Sequence, residues 1–252
     1  MAKLTTLLFD VDGTLAETEE IHRKSFNSAF KAAGLSWVWS QATYGELLAV
    51  TGGKERIRHY IDKYSPDFKA EGNLAETIAS LHATKTEHYT STVRAGALPL
   101  RNGVRQLIHE ARASGLRLGI ATTTTPANVS VLLQKSLSAD AESWFEVIAA
   151  GGVVPVKKPA PDIYHYAMEK MGVSPEECLA LEDSENGLLS ARGAGLKTII
   201  TVSQYTAGQD FSDAALVVDQ FGEPDDPATA IKGSLGGSNI VNIELMHKLM
   251  AS

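Results

Sequence analysis

The chain is expected to be an α/β protein, a doubly wound parallel sheet with an inserted α-helical domain, and three observations predict this. From about residue 96 short apolar runs of strand character alternate with helical stretches, the pattern of a parallel sheet covered on both faces. One further run, LLFDVDGT, lies far upstream and ends in two aspartates and a turn. Between them residues 16–95 hold helical patterns without a convincing strand.

Taken in order, the first strand brings Asp10 and Asp12 to its carboxyl end, and AETEEIHRKSFNSAF opens the helical segment straight after. GALPLRNG returns the chain to the sheet, with Gly96, Pro99 and Gly103 marking a loop. GVRQLIHEARASG places Val104, Leu107, Ile108 and Ala111 at helical spacing and stops at Gly115. LRLGIATTTT then reads as a buried strand running into a Thr-rich loop. WFEVIAAGG, CLALEDS, KTIITVS and AALVVD supply the later strands, the first three separated by PDIYHYAMEKMG and NGLLSARGAG. The expected division is a Rossmann-like core at 1–15 and 96–236, a helical cap at 16–95, and a C-terminal tail at 237–252.

Composition narrows the partners. A formal net charge of -7 without any Lys/Arg run argues against nucleic acid. The segment Ala16–Ala95 holds ten Lys/Arg and ten Asp/Glu, so the acidity belongs to the rest of the chain. Cys178, the one cysteine, lies in an apolar run and reads as a buried structural thiol. No apolar stretch reaches membrane-spanning length. The expectation is a cytoplasmic monomer that meets a small-molecule substrate and neither nucleic acid nor membrane.

Ligands of open α/β sheets bind outside the carboxyl ends of strands, and polar clusters stand at successive ends here. Residues two apart on a strand share a face, so Asp10 and Asp12 suit a site in which one carboxylate attacks and the other moves protons. A calcium loop is excluded because Gly13 comes too early and its twelfth position is Ile21. Thr122 and Thr123 follow the second strand and offer hydroxyls and amides to phosphate oxygens. Lys158 before Pro159 offers a cation. Glu182 and Asp183 would repel each other unless a hard cation such as Mg2+ sat between them and Asp10. In the cap, Gly52 and Gly53 beside Lys54 and Arg56 suit an anion, or equally a helix start with a solvated basic turn. His22 either faces the substrate or packs within its helix.

Together DVDGT, ATT, KKP and LEDS, in that order on consecutive strands, resemble the four motifs of the haloacid dehalogenase superfamily of phosphotransferases. The insertion after the first motif resembles its C1 cap. LLFDVDGTLAETEEIHRKSFN, YGELLAVTGGKERI, IAAGG and ALEDSENGLLSARGAGL further resemble the CbbY-type xylulose-1,5-bisphosphate phosphatases. The resemblance implies a Mg2+-dependent phosphatase that forms an aspartyl-phosphate and converts xylulose-1,5-bisphosphate, a Rubisco inhibitor, to xylulose 5-phosphate. It makes Asp10 the nucleophile and a metal ligand, and Asp12 the acid/base, with its backbone carbonyl on the metal. Asp183 is a further metal ligand, and Thr122 and Lys158 hold the transferring phosphate. Glu19, Gly52, Gly53, Lys54, Glu55, Arg56, His82 and Lys85 would meet the substrate. The neutral cap on an acidic core, with paired glycines beside two cations, further leads to the expectation that Lys54 and Arg56 recognise the phosphate that is not cleaved. A β-phosphoglucomutase-like mutase would share every core residue. A receiver domain is disfavoured, since it has no helical insertion and carries its phosphorylated Asp on the third strand, here AAGG.

Overall fold

The computed structural model describes residues 3–70, 72–96 and 98–251. The chain runs β1 (Thr6–Phe9), α1 (Glu19–Ala32), α2 (Gln41–Leu47), α3 (Gly53–Tyr64), α4 (Leu74–Ala95), α5 (Val104–Ala113) and β2 (Arg117–Thr122). It continues α6 (Pro126–Leu132), β3 (Val147–Ala150), α7 (Asp162–Met171), β4 (Cys178–Glu182), α8 (Glu185–Gly193), β5 (Lys197–Thr201), β6 (Leu216–Val218), β7 (Ala230–Lys232) and α9 (Ile243–Ala251).

Among the described residues the strands form one seven-stranded sheet in the order β3-β2-β1-β4-β5-β6-β7. All pairings are parallel except β6 with β7. The central strands β1 and β4 are buried on both faces, which is why they read as unbroken apolar runs. The chain steps from β1 outward through β2 and β3, then crosses to β4 on the other side of β1. Between β1 and β4 lies the switch point where such sheets hold their ligands. Register brings the edges level: Phe9 pairs with Ile120 on one side and Leu181 on the other. The residues that follow, Asp10, Ala121 and Glu182, therefore emerge together. Antiparallel β7 has no counterpart among the expected strands, because three residues with a largely exposed pattern carry no readable period.

Two apolar clusters line the sheet. One gathers Leu7, Phe9, Ile108, Leu118, Leu132 and Leu181; the other gathers Leu8, Ala121, Tyr164, Met168 and Ala180, with Cys178 buried in it. Helices α1 to α4 bury a separate aromatic core, including Phe26, Phe30, Trp37, Trp39 and Tyr44. The segment expected as a tail belongs to the sheet's core instead. Val241, Ile243, Leu245 and Met246 are buried in the first cluster, and Lys197 donates to the Leu249 carbonyl at 2.9 Å. The amphipathic pattern has a physical reason here: its apolar side covers β-sheet core that water would otherwise reach. No helix of the described residues is long and apolar enough to cross a membrane.

Candidate active site

At the switch point Lys158 is the hub of a buried polar group. Its ammonium donates to Asp10 Oδ1 at 2.7 Å, to Glu182 Oε1 at 2.5 Å and to the Ala121 carbonyl at 2.9 Å. Tyr164, from the first turn of α7, donates to the same Glu182 oxygen at 2.5 Å. Gly187 makes room for that carboxylate, since a Cβ there would lie 1.9 Å from Glu182 Oε2. Burial opposes the charge on Lys158, but Asp10 and Glu182 outweigh it and hold the ammonium above the usual lysine range. Burial pushes Asp10 up to about 7 despite Lys158, with Glu182 and Asp12 adding to the rise. Asp183 lies well above the carboxylate range for the same reason, with Glu19 and Asp10 adding to its burial.

Oxygens of Asp10, Glu182 and Asp183 all lie within 4.8 Å of one another. Three carboxylates facing one ammonium leave two negative charges unbalanced, which is the charge of a divalent cation. Glu182 Oε2 is also buried without a hydrogen-bond partner. An all-oxygen donor set of this kind fits a hard cation such as Mg2+. Asp12 is not among these three side chains; its Oδ1 is turned to other partners.

Asp12 Oδ1 accepts from Thr18 Oγ1 at 2.7 Å and pairs with His22 Nε2 at 3.0 Å. His22 Nδ1 in turn lies 2.7 Å from the Lys85 ammonium. An ammonium can only donate, so Nδ1 accepts and Nε2 carries the proton given to Asp12. The ring is thus a neutral tautomer bridging α4 to the loop after β1, stacked on Tyr89 with centroids 4.3 Å apart. Burial and the Lys85 charge push His22 down to about 4, and burial brings Lys85 down to about 7. For Asp12 burial works against ionisation, but His22 and Thr18 outweigh it and hold the carboxyl well below the usual range. His22 is buried and stacked on Tyr89, and it also lines the space between cap and sheet.

Glu19 closes the far side. Burial and the nearby Glu17 push it up to about 8. A Cβ on Gly13, which has φ +79, would meet Asp183 Oδ2 at 2.0 Å and Glu19 Oε1 at 2.8 Å, so only glycine allows the turn between these carboxylates.

Two cavities share this wall. A smaller one of about 110 Å³ is lined by Asp10, Asp12, Glu19, Thr122, Lys158 and Asp183. A larger one of about 480 Å³ opens between cap and sheet, lined by Lys54, Arg56, His82, Lys85, Asn128 and Lys157 among others. Asp12, His22, Arg56 and Thr123 line both.

A family model described as haloacid dehalogenase-like hydrolase matches residues 4–195. The chain belongs to that family. Relatives agree along most of its length. Protein CbbY of Rhodobacter capsulatus is 51% identical over 84% of this chain and 91% of its own. The plasmid-borne Protein CbbY of Cupriavidus necator is 47% identical over 89% and 88%. Among solved structures, a CbbY variant from Rhodobacter sphaeroides in complex with xylulose-(1,5)bisphosphate superposes with TM-score 0.82 at 44% identity, covering 87% of this chain and 96% of that one. A β-phosphoglucomutase from Clostridium difficile shares the fold at 19% identity and TM-score 0.69. With this core and these relatives the chain is a phosphatase of the haloacid dehalogenase-like family.

Within that family site the cap residues divide. Gly52, Gly53, Lys54, Glu55, Arg56, His82 and Lys85 all line the larger cavity, Lys54 from an exposed position. Arg56 is less available than its neighbour. Its guanidinium donates to the Leu47 carbonyl, the Tyr44 hydroxyl and the Val50 carbonyl, each at 3.1 Å, so it knits α3 to α2 as well as facing the cavity. Glu55 pairs with Lys157 at 2.9 Å, a contact from cap to sheet loop. Asn186, on α8, reaches the Ala49 carbonyl at 3.2 Å and Thr51 at 3.1 Å, and Tyr205 donates to Glu20. Glu182 lines neither cavity; one of its oxygens accepts from Lys158 and Tyr164, and it belongs to the three-carboxylate cluster. Sequence reading gave no role to Thr18, Tyr164 and Lys157, although all three lie inside quoted stretches; Tyr164 and Lys157 bond residues far along the chain, and Thr18 bonds Asp12 across the turn that follows β1.

Proposed function

We propose that this chain is a Mg2+-dependent sugar-bisphosphate phosphatase that acts through an aspartyl-phosphate on Asp10 and converts xylulose-1,5-bisphosphate to xylulose 5-phosphate. The observation that carries the reading is the pair of cavities meeting at Asp12, one acidic with a single lysine, the other lined by cations. The smaller holds the phosphate to be cleaved; the larger has the volume for a sugar phosphate and the cations for a second phosphate. The likeness to a CbbY solved with xylulose-(1,5)bisphosphate supports the same substrate.

Bound at Asp10, Glu182 and Asp183, a Mg2+ ion would neutralise charge on the phosphoryl oxygens. Lys158 does the same from the opposite flank, and Thr122 offers its hydroxyl and amide. An Asp10 oxygen attacks phosphorus as the bond to the sugar oxygen breaks; that oxygen takes its proton from Asp12, which is ionised in the free chain and gains the proton from the hydroxyl of the incoming phosphate monoester monoanion. Asp12, now a carboxylate held by Thr18 and His22, takes a proton from water as the water's oxygen attacks the aspartyl-phosphate, releasing inorganic phosphate and restoring Asp10. General acid/base help of this kind is worth roughly 10²–10⁴, and the greater part of the acceleration comes from preorganised charge. The enzyme so described clears a Rubisco inhibitor as a cytoplasmic monomer.

The test is product analysis with xylulose-1,5-bisphosphate and Mg2+. Stoichiometric phosphate and xylulose 5-phosphate are expected, lost on chelation. Asp10→Asn should abolish turnover, and Asp12→Asn should slow it at least ~10²-fold. An isomerised monophosphate without free phosphate, given a sugar monophosphate and bisphosphate primer, would identify a mutase instead.

A further inference from the structure

We propose that Arg101 and Glu17 form a hinge clamp, a pair of positioning residues that fix the loop carrying Asp12; the inference rests on the acid/base role given to Asp12 above. Arg101 lies on the linker by which the chain returns from the cap, and its side chain is 8% exposed. Its Nη2 donates to the Val202 carbonyl at 2.6 Å and the Asp219 carbonyl at 2.7 Å. These follow β5 and β6, so the guanidinium is anchored at the carboxyl edge of the sheet. Nη1 turns to the outgoing linker. It donates to the Gly13 carbonyl at 2.5 Å and pairs with Glu17 Oε1 at 2.7 Å, with a longer contact to the Thr201 carbonyl at 3.4 Å. The Arg101 amide adds a bond to the Leu15 carbonyl at 2.8 Å. One residue thus ties both crossings between sheet and cap to each other.

The consequence for Asp12 runs through three consecutive residues. Glu17 holds Arg101, Thr18 donates to Asp12 at 2.7 Å, and Glu19 stands with Asp183 around Gly13. Releasing Glu17 frees the residue beside Thr18, and with it the donor that orients the Asp12 carboxylate. A phosphate ester with a poor leaving group needs the Asp12 proton in order to break; p-nitrophenolate leaves without it.

Glu17→Ala is the first variant, since Glu17 is 46% exposed and its truncation does not empty the core. The probes are phenyl phosphate and p-nitrophenyl phosphate, whose leaving groups differ by a para nitro group that makes the second far more acidic. The expected result is a kcat loss about three- to tenfold greater on phenyl phosphate, with KM and Tm close to wild type and Glu17→Gln in between. Hydrogen exchange of residues 11–18 should quicken in both variants and in Arg101→Lys. Equal losses on the two esters accompanied by a fall in Tm would reduce the pair to a fold contact, and unchanged exchange would remove the clamp. Wild type without activity on either ester would count against the phosphatase reading, while the exchange measurement would still decide the clamp.

Discussion

Lys54 and Arg56 stand two positions apart at the start of α3, yet their surroundings assign them different work. Arg56 spends three donors on the cap's own backbone and Tyr44, whereas Lys54 is exposed at the mouth of the larger cavity. Lys54→Ala should therefore weaken the hold on the second phosphate selectively. The loss of a charge-assisted contact, about 1.5–3 kcal/mol, is expected as a ten- to hundredfold fall in kcat/KM on the bisphosphate, with p-nitrophenyl phosphate unaffected. Arg56→Ala should lower activity on both esters and lower Tm as well, which steady-state kinetics beside thermal melts will separate. His22 makes a pH prediction. Folded, it takes a proton only near 4, against the ordinary 6.5 when unfolded, so between those values the unfolded chain binds more protons. Its contribution is complete above pH 6.5 and is lost as pH falls towards 4, by about 3 kcal/mol in all. His22→Gln should flatten the stability profile in that window, measured by urea titration across the pH series.

Cap and sheet meet through elements that each contribute a few polar contacts. Glu55 at the start of α3 and Lys157 in the loop after β3 are side chains 46% and 21% exposed, and exposed pairs are worth about 0–1 kcal/mol. Such a contact biases closure without dictating it. Glu55→Gln should raise KM roughly two- to fivefold with little change in kcat, and half-molar salt should erase the difference. The elements themselves were mostly legible: β1, β2, β4 and β5 as apolar runs, α5 and α7 as helical periods. β7 was not, because its pairing with β6 is the reason it is a strand at all. Of the candidate site residues, Asp10, Asp12, Lys158 and Asp183 stand at strand ends or motif positions and were visible on that ground. Tyr164 and Arg101 were not, because each bonds atoms far along the chain; Thr18 was not, because only the turn after β1 brings its hydroxyl back to Asp12.

At the scale of the whole molecule, the C-terminal helix closes the core. Met246 is fully buried in the main cluster, so Met246→Ala should cost about 2–5 kcal/mol in urea unfolding while kcat stays unchanged, since the helix lies outside both cavities. A tail independent of the core would show no such loss. The sequence by itself determined the alternation that makes a doubly wound sheet, the helical insertion, and the acidic and threonine clusters at strand ends, because periodicity and local turn chemistry are properties of neighbouring residues. The tertiary structure alone decided that Glu182 backs Lys158, that His22 links Lys85 to Asp12, that Arg56 braces the cap, and that the last helix belongs to the core. Those are contacts between residues remote in the chain, and their energies depend on burial and distance, which exist only once the sheet has brought its edges level.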